Sequence, residues 1–395
     1  MLRTLARRQT RWMGIAIVGW LASGLVASAE AQVDGRSSNR TARSMRSTAA
    51  PSGVAPASAT STSVAGGRQQ IDSIYRMASQ AKSVGEIKSA LTECDRLAAT
   101  GLDAENDRYL RRLRGWLLNR RGEAYALSAT QAMEDGNDRD AQQRELQAVA
   151  DYTASIESDP QWRAYHNRGV SRAMLGEYDD ALADFSAAIK LKPDYPNTRF
   201  NRAELLLERE AYAEAEREYT SVLELDPNDA DSLIGRGHAR FYLANFDGAL
   251  EDFDEVIRRQ PENAVAYADR ADLYAYLGKW EFSAQDYRMA VKLDQTLGRA
   301  YQSAAWLMST CPDDNFRDEA LALRAAKRAI DLDGQQDYRY LDTLAAAHAN
   351  ARQYPDALKA IQAAMKVAPD AVRPELKDRM TLYQAQRPFR DTAVR

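Results

Sequence analysis

Arg168, Arg202, Arg236 and Arg270 stand 34 residues apart, and each is followed sixteen residues later by an acid: Asp184, Glu218, Asp252 and Asp286. Upstream, Arg121 and Asp151 keep the pairing at a wider interval; downstream both members vanish together, as Ala304 with Ala325 and Leu344 with Ala360. Residue types that appear and disappear jointly sense one another or a shared neighbour. The pattern predicts a structural ion-pair ladder of charge-assisted hydrogen bonds across packed helices. A row of arginines also suits an anionic ligand, and spacing alone does not choose between the two. Little other chemistry is on offer. His166, His238 and His348 are scattered and the two cysteines, Cys94 and Cys311, lie far apart, so neither a zinc ligand set nor a disulfide scaffold is expected. There is no glycine-rich phosphate loop and no nucleophile in a strand-to-helix turn. We expect no enzyme, no metal and no cofactor.

The elements that position the arginines can be read from the same period. Pro160, Pro193, Pro227 and Pro261 are spaced 33, 34 and 34 residues apart. Taking Trp162 to Tyr195 as one unit, its eighth slot is always small: Gly169, Ala203, Gly237, Ala271, Ala305 and Ala345. The twentieth is small as well, with Ala181, Ala215, Ala249, Ser283, Ala322 and Ala357, once five inserted residues are allowed in the fifth unit. Large rings flank them, Tyr178, Tyr212, Phe246, Trp280 and Tyr354 at the seventeenth slot and Phe185, Tyr219, Phe253 and Tyr287 at the twenty-fourth. Small slots let two helices approach, and a proline ends the second of them, so each unit is an antiparallel helix pair.

This pattern, most clearly from Ala164 through Gly169 and Gly176 through Ala181 to Pro193, resembles the tetratricopeptide repeat family. The resemblance covers six units over residues 162–371 and, more weakly, an extended unit upstream with about fourteen extra residues between its helices. It implies an all-α fold, a right-handed α-solenoid of antiparallel helix pairs with a terminal capping helix. It further implies a non-enzymatic scaffold for protein or peptide partners, bound in the concave groove that the first helices line. Carried onto this chain, the exposed groove slots are Phe200, Asn201, Glu204, His238, Phe241, Tyr242, Asp269, Asp272, Tyr276 and Trp306. Aromatic rings and Asn anchor extended peptides well, although Tyr242 and Tyr276 are equally placed to pack on the next repeat. Arg163 and Asn201 supply only part of a carboxylate clamp, because Asp231, Gly235, Val265 and Asp269 occupy its other slots. An acidic, aromatic groove favours a basic or neutral segment. In the fifth unit Cys311 to Asn315 inserts a turn, leaving Cys311 as an exposed thiol or a half-buried helix-end residue.

The flanks complete the layout. Arg3, Arg7, Arg8 and Arg11 precede an uncharged stretch, Trp12 to Ala29, that ends in small residues, so residues 1–31 read as a secretory signal. The same stretch approaches the length of a membrane anchor, the one case in which a membrane would be a partner. Residues 32–68 are Ser, Thr, Ala and Arg with almost no large apolar side chain, and read as a disordered linker. Residues 69–160 supply an N-terminal helix pair plus the extended unit, and 372–395 the capping helix, over Pro374 to Arg390, and a tail. Residues 1–68 carry nine Arg against Glu30 and Asp34, which leaves about −11 of the −4 total on the remainder. An acidic array repels nucleic acid. The expected location is outside the cytoplasm, periplasmic or extracellular, in a bacterial cell envelope. A structural envelope protein that binds a polysaccharide or cell-wall polymer through its 19 tyrosines is the alternative. Oligomeric state is left open.

Overall fold

A computed structural model describes residues 62–392, with side chains from residue 66. The signal segment, most of the linker and residues 393–395 lie outside the described residues. Among those described the chain is all helical, with seventeen α-helices, one 3₁₀ turn and no strand, arranged as the helix pairs of an α-solenoid. The described residues divide into two compact units, one ending at Ser232 and the other beginning at Leu233.

In the first unit, α1 (Thr62–Gln80) and α2 (Val84–Ala98) pack on α3 (Ala104–Glu134). Ile71, Ile74, Ala78, Leu91, Leu113 and Leu117 share their core. A reciprocal cap starts α2: Ser83 Oγ accepts the Glu86 N–H at 3.2 Å, and Glu86 accepts the Ser83 N–H at 3.1 Å. Helix α1 begins seven residues before the expected linker boundary. Within it the Arg68 guanidinium packs on α3, 3.7 Å from the Tyr109 ring centroid. The extended unit also differs from expectation. Its extra residues do not form a loop; they lengthen α3 to 31 residues and its partner α4 (Asp138–Ser158) to 21, joined by a short turn at 135–137. Helices α5 (Trp162–Met174), α6 (Tyr178–Leu191), α7 (Pro196–Glu208) and α8 (Tyr212–Leu225) complete this unit as two regular pairs.

Helix α9 (Ala230–Tyr242) contains the division between the units. The second unit continues with α10 (Phe246–Arg259), α11 (Ala264–Tyr276), α12 (Trp280–Leu293), α13 (Gly298–Thr310), α14 (Glu319–Asp333), α15 (Tyr338–Asn350), α16 (Tyr354–Val367) and α17 (Arg373–Gln384). Between α13 and α14 the inserted residues form a 3₁₀ turn, Asp314–Phe316, and Cys311 is buried rather than exposed. Leu376 and Tyr383 bury the face of α17 against α16 and α15. This cap ends at Gln384, six residues short of the expected Arg390.

The turns inside the pairs share one geometry. Gly176, Glu210, Ala244, Gly278 and Arg352 all have left-handed φ angles, between 58° and 79°. The amide after each donates to the carbonyl five residues back, as from Glu177 N–H to Arg172 O at 2.9 Å and from Asn245 N–H to Arg240 O at 2.8 Å. Such a turn satisfies the last carbonyls of the first helix. A side chain in this region is strained, so Ala244→Gly is expected to stabilise the fold by about 1 kcal/mol. Urea unfolding of the variant showing a loss instead would contradict the shared-turn account.

Candidate functional site

The small eighth slot admits a ring. A Cβ added at Gly122, Gly169 or Gly237 would meet ring carbons of Tyr152, Phe185 or Phe253 at 2.6, 2.7 and 2.7 Å. At Ala203 and Ala271 the ring is a tyrosine, as it is at Gly122, and in these two alanine units the hydroxyl takes an acid from the next slot. Tyr219 Oη donates to Glu204, and Tyr287 Oη donates to Asp272 at 2.5 Å. Burial first, and then the adjoining carboxylate, pushes both phenols well above their usual range. Glu204 and Asp272 are half-buried, each engaged by the tyrosine of its own repeat, and Asp272 also lies 3.8 Å from Arg299 of the next. Phe200 is likewise buried, edge-on to Tyr219 with centroids 5.9 Å apart, and so does not line a groove. Asn201 is buried, and its Nδ2 has no hydrogen-bond partner among the described residues. His166 lies neither in solvent nor in a groove but is buried against Thr198, with Nδ1 2.9 Å from Oγ1.

The arginines face carboxylates. Arg121 meets Asp151 through Nε and Nη2 at 2.7 and 2.6 Å, Arg168 meets Asp184 at 2.9 and 2.7 Å, and Arg236 meets Asp252 at 3.0 and 2.6 Å. Arg270 grips Asp286 in the same forked way at 2.7 and 2.9 Å, while Arg202 reaches Glu218 through Nη2. The third nitrogen often reaches back to the preceding repeat. Arg168 Nη1 donates to Thr153 Oγ1 at 3.0 Å, Arg202 Nη1 to Ser186 Oγ at 3.0 Å, and Arg270 Nη1 to Asp254 Oδ1 at 2.6 Å. These acceptors each follow the previous unit's acid by two residues, a signal that the sequence carries and that pairing within single units does not reveal. With their forks filled, the arginines leave no open row for an anionic ligand.

In the second unit a polar and an aromatic contact lie along the same helix pair, α9 against α11. Asp269 is buried, with Oδ1 2.9 Å from Arg299 Nη1 and 3.4 Å from His238 Nε2, while its Oδ2 has no partner among the described residues. Burial raises the Asp269 pKa, but Arg299 and then His238 outweigh it and bring the carboxyl down to about 2. Arg299, at the second slot of the fifth unit, is absent from the groove residues expected from sequence and neutralises much of their acidity. Beside this, Phe241 lies edge-on to Tyr276 at 5.1 Å and to Tyr242 at 5.3 Å, and Phe246 lies 5.3 Å from Tyr276. Phe241, Tyr242 and Tyr276 stay half-buried, so they pack on neighbouring helices and still show ring surface. Trp306 is also half-buried, but its indole N–H donates to Asp391 Oδ2 at 3.1 Å, so part of it is covered by the chain itself.

Asp252 serves both Arg236 and Arg240, the latter at 2.9 Å, and burial pushes its carboxyl above the usual range despite them. Asp252→Ala strands two guanidiniums and should cost about 3 kcal/mol in urea unfolding; Glu93→Ala, in an exposed pair with Arg96, should cost nothing measurable. Equal losses at the two sites would contradict a buried ladder. Asp272 behaves differently with pH: burial first pushes its carboxyl up to about 6 from 3.8. Its favourable contribution is then complete below about pH 4 and is lost as pH rises through about 6. Asp272→Asn keeps an acceptor for Tyr287 without the charge, so the variant should melt higher than the parent at pH 7.5, with the advantage gone at pH 4. A pH-independent difference would exclude this assignment.

Sequence comparisons bear on the same helix pairs. Tetratricopeptide repeat family models match residues 173–236 and, in a second model, 129–196 and 234–304. No curated protein matches. Among solved structures, yeast Tom70 is 15% identical, with 97% of this chain and 73% of that one covered and a TM-score of 0.49. A tetratricopeptide repeat protein from Parabacteroides merdae is 15% identical over 80% of this chain and 99% of its own, with a TM-score of 0.40. YrrB, described as having an unusual peptide-binding site, is 19% identical over 48% of this chain and 97% of its own, with a TM-score of 0.35. Over residues 129–304 the chain is therefore similar to the tetratricopeptide repeat family, in the same helix pairs that carry the 34-residue period and the arginine ladder.

Proposed function

We propose that this protein is a non-enzymatic interaction scaffold that binds a peptide or protein segment on the first-helix face of its second unit, and that it works outside the cytoplasm in a bacterial cell envelope. The observation that carries the binding reading is the half-buried aromatic cluster of Phe241, Tyr242 and Tyr276. Half-buried rings give contact area at small entropic cost. Tetratricopeptide repeats commonly mediate protein–protein interaction, which agrees with this use. The export reading rests on the arginines and the uncharged stretch of residues 1–31. No helix among the described residues is long and apolar enough to cross a membrane.

The glycan-binding alternative needs exposed tyrosines. Tyr152, Tyr219 and Tyr383 are instead fully buried, which weakens it. A photoreactive phenylalanine analogue at Tyr242, activated in native cells, should give adducts to polypeptide that disappear in a Phe241→Ala, Tyr276→Ala background. Adducts to glycan alone would overturn the scaffold reading. The same preparation should show a mature N-terminus after Ala29 or Ala31 by mass spectrometry, and an intact Met1 to Ala29 segment would refute cleavage.

A further inference from the structure

Helix α17 ends in the same left-handed turn that elsewhere launches a second helix, with Gln386 at φ 52° and the Arg387 N–H donating to Leu382 O at 2.9 Å. No second helix follows in residues 387–392. The chain returns instead to the C-terminal end of α13. Thr310 O accepts the Asp391 N–H at 2.8 Å, Ser309 O accepts Arg390 Nη1 at 2.9 Å, and Asn350 Oδ1 accepts Arg390 Nη2 at 3.0 Å. Phe389 stacks at a tilt on Trp306, centroids 5.8 Å apart, and Asp391 takes the indole N–H.

The surface beneath this segment is prepared without it. The final carbonyls of a helix have no intrahelical donor and carry the negative end of its dipole, so an N–H and a guanidinium are the groups they select. Arg379 is fixed from the other side by a forked pair with Asp342, at 3.0 and 2.8 Å, and its guanidinium lies 5.6 Å from the Trp306 centroid and 5.3 Å from that of Phe389. An aromatic slot, two backbone acceptors and an amide oxygen thus sit in a row. The segment that fills them is held by shape more than by charge. Arg390 finds only neutral oxygens among the described residues, those of Ser309, Phe389 and Asn350. Burial, and then the nearby Arg317 charge, lowers its pKa. An ion that gains little by being seated is easily given up.

We propose that Trp306, Asn350, Arg379 and the terminal carbonyls of α13 form a peptide-recognition site that the chain's own Phe389-Arg390-Asp391 keeps closed, and that its partner is an extended segment presenting an aromatic residue, an arginine and a carboxylate in that order. Trp306 lies among the groove residues expected from sequence to bind a partner, so this inference rests on the scaffold reading and adds the class of partner and its control. The partner exchanges for the tail one contact at a time, which lets binding and release occur without repacking the helices.

The test uses the full chain, a chain ended after Gln386, and a full-length Phe389→Ala, Arg390→Ala variant. The probe is a fluorescent synthetic heptapeptide of residues 386–392, followed by anisotropy, with an Ala-substituted copy lacking the Phe and Arg side chains. Both altered chains should bind the probe at least tenfold more tightly than the parent, and neither should bind the Ala copy. No gain in either chain, or equal binding of the Ala copy, overturns the proposal. Should the shortened chain fail to fold, the substituted full-length chain decides; loss of cooperative melting in both would show the tail to be part of the core and would also overturn it. The crosslinking experiment at Tyr242 probes a surface the tail does not touch, so failure here leaves the scaffold reading to be judged there.

Discussion

The two helices of a repeat can approach only where a small side chain lets an aromatic ring pass between them, and most of what this chain does is arranged around that contact. Gly169 under Phe185 and Gly237 under Phe253 leave no room for even one more carbon. Once the helices are this close, a guanidinium on the first can grip a carboxylate on the second through both Nε and Nη2. Removing the carboxylates from water is costly, and the forked geometry with its extra donors offsets that cost. Packing therefore comes first and the ion pairs exploit it. The coupling of slots runs further. Over Ala203 and Ala271 the ring is a tyrosine whose hydroxyl needs an acceptor, supplied by Glu204 or Asp272.

The ladder also explains how one repeat senses the one before it. Beyond the fork, a further nitrogen reaches the previous second helix, at Thr153, Ser186 or Asp254. In a linear stack such neighbour terms, added to the stability of each unit, set the total. Where the ladder stops, other contacts replace it. Gln302 Nε2 donates to Thr343 Oγ1 at 2.7 Å, small Ala325 and Ala360 occupy the acid slots, and the Asp342–Arg379 pair binds α17 to α15.

Periodic features are legible in the sequence because each repeat states them again. The helix pairs, the small slots and the arginine–acid spacing all have several copies to compare. Exposure at a groove slot is not legible, since it depends on which residue the next helix brings. Phe200 looks available until Tyr219 covers it, and Asp269 looks like an open acid until Arg299 arrives one repeat later. Boundaries fail for a related reason. The N-terminal part of α1 is tied to α3 through Arg68 on Tyr109, and the path beyond Gln384 is set by contacts to α13 more than 70 residues away in sequence. Local propensity contains neither.

The joint between α13 and α14 departs from the left-handed turn that sets the length of the other connections within pairs from α5 onward. Its carbonyls at Cys311 and Pro312 are satisfied by Arg317 from beyond the turn, at 2.6 and 3.0 Å. A connection held by a side chain and by one backbone bond across ten residues, from the Asp318 N–H to Met308 O at 3.2 Å, has more slack in its length than the tight left-handed turns. Over evolutionary time this is the joint where residues could be gained or lost without shifting the register of the helices on either side, and it is the natural place to splice in a reporter domain.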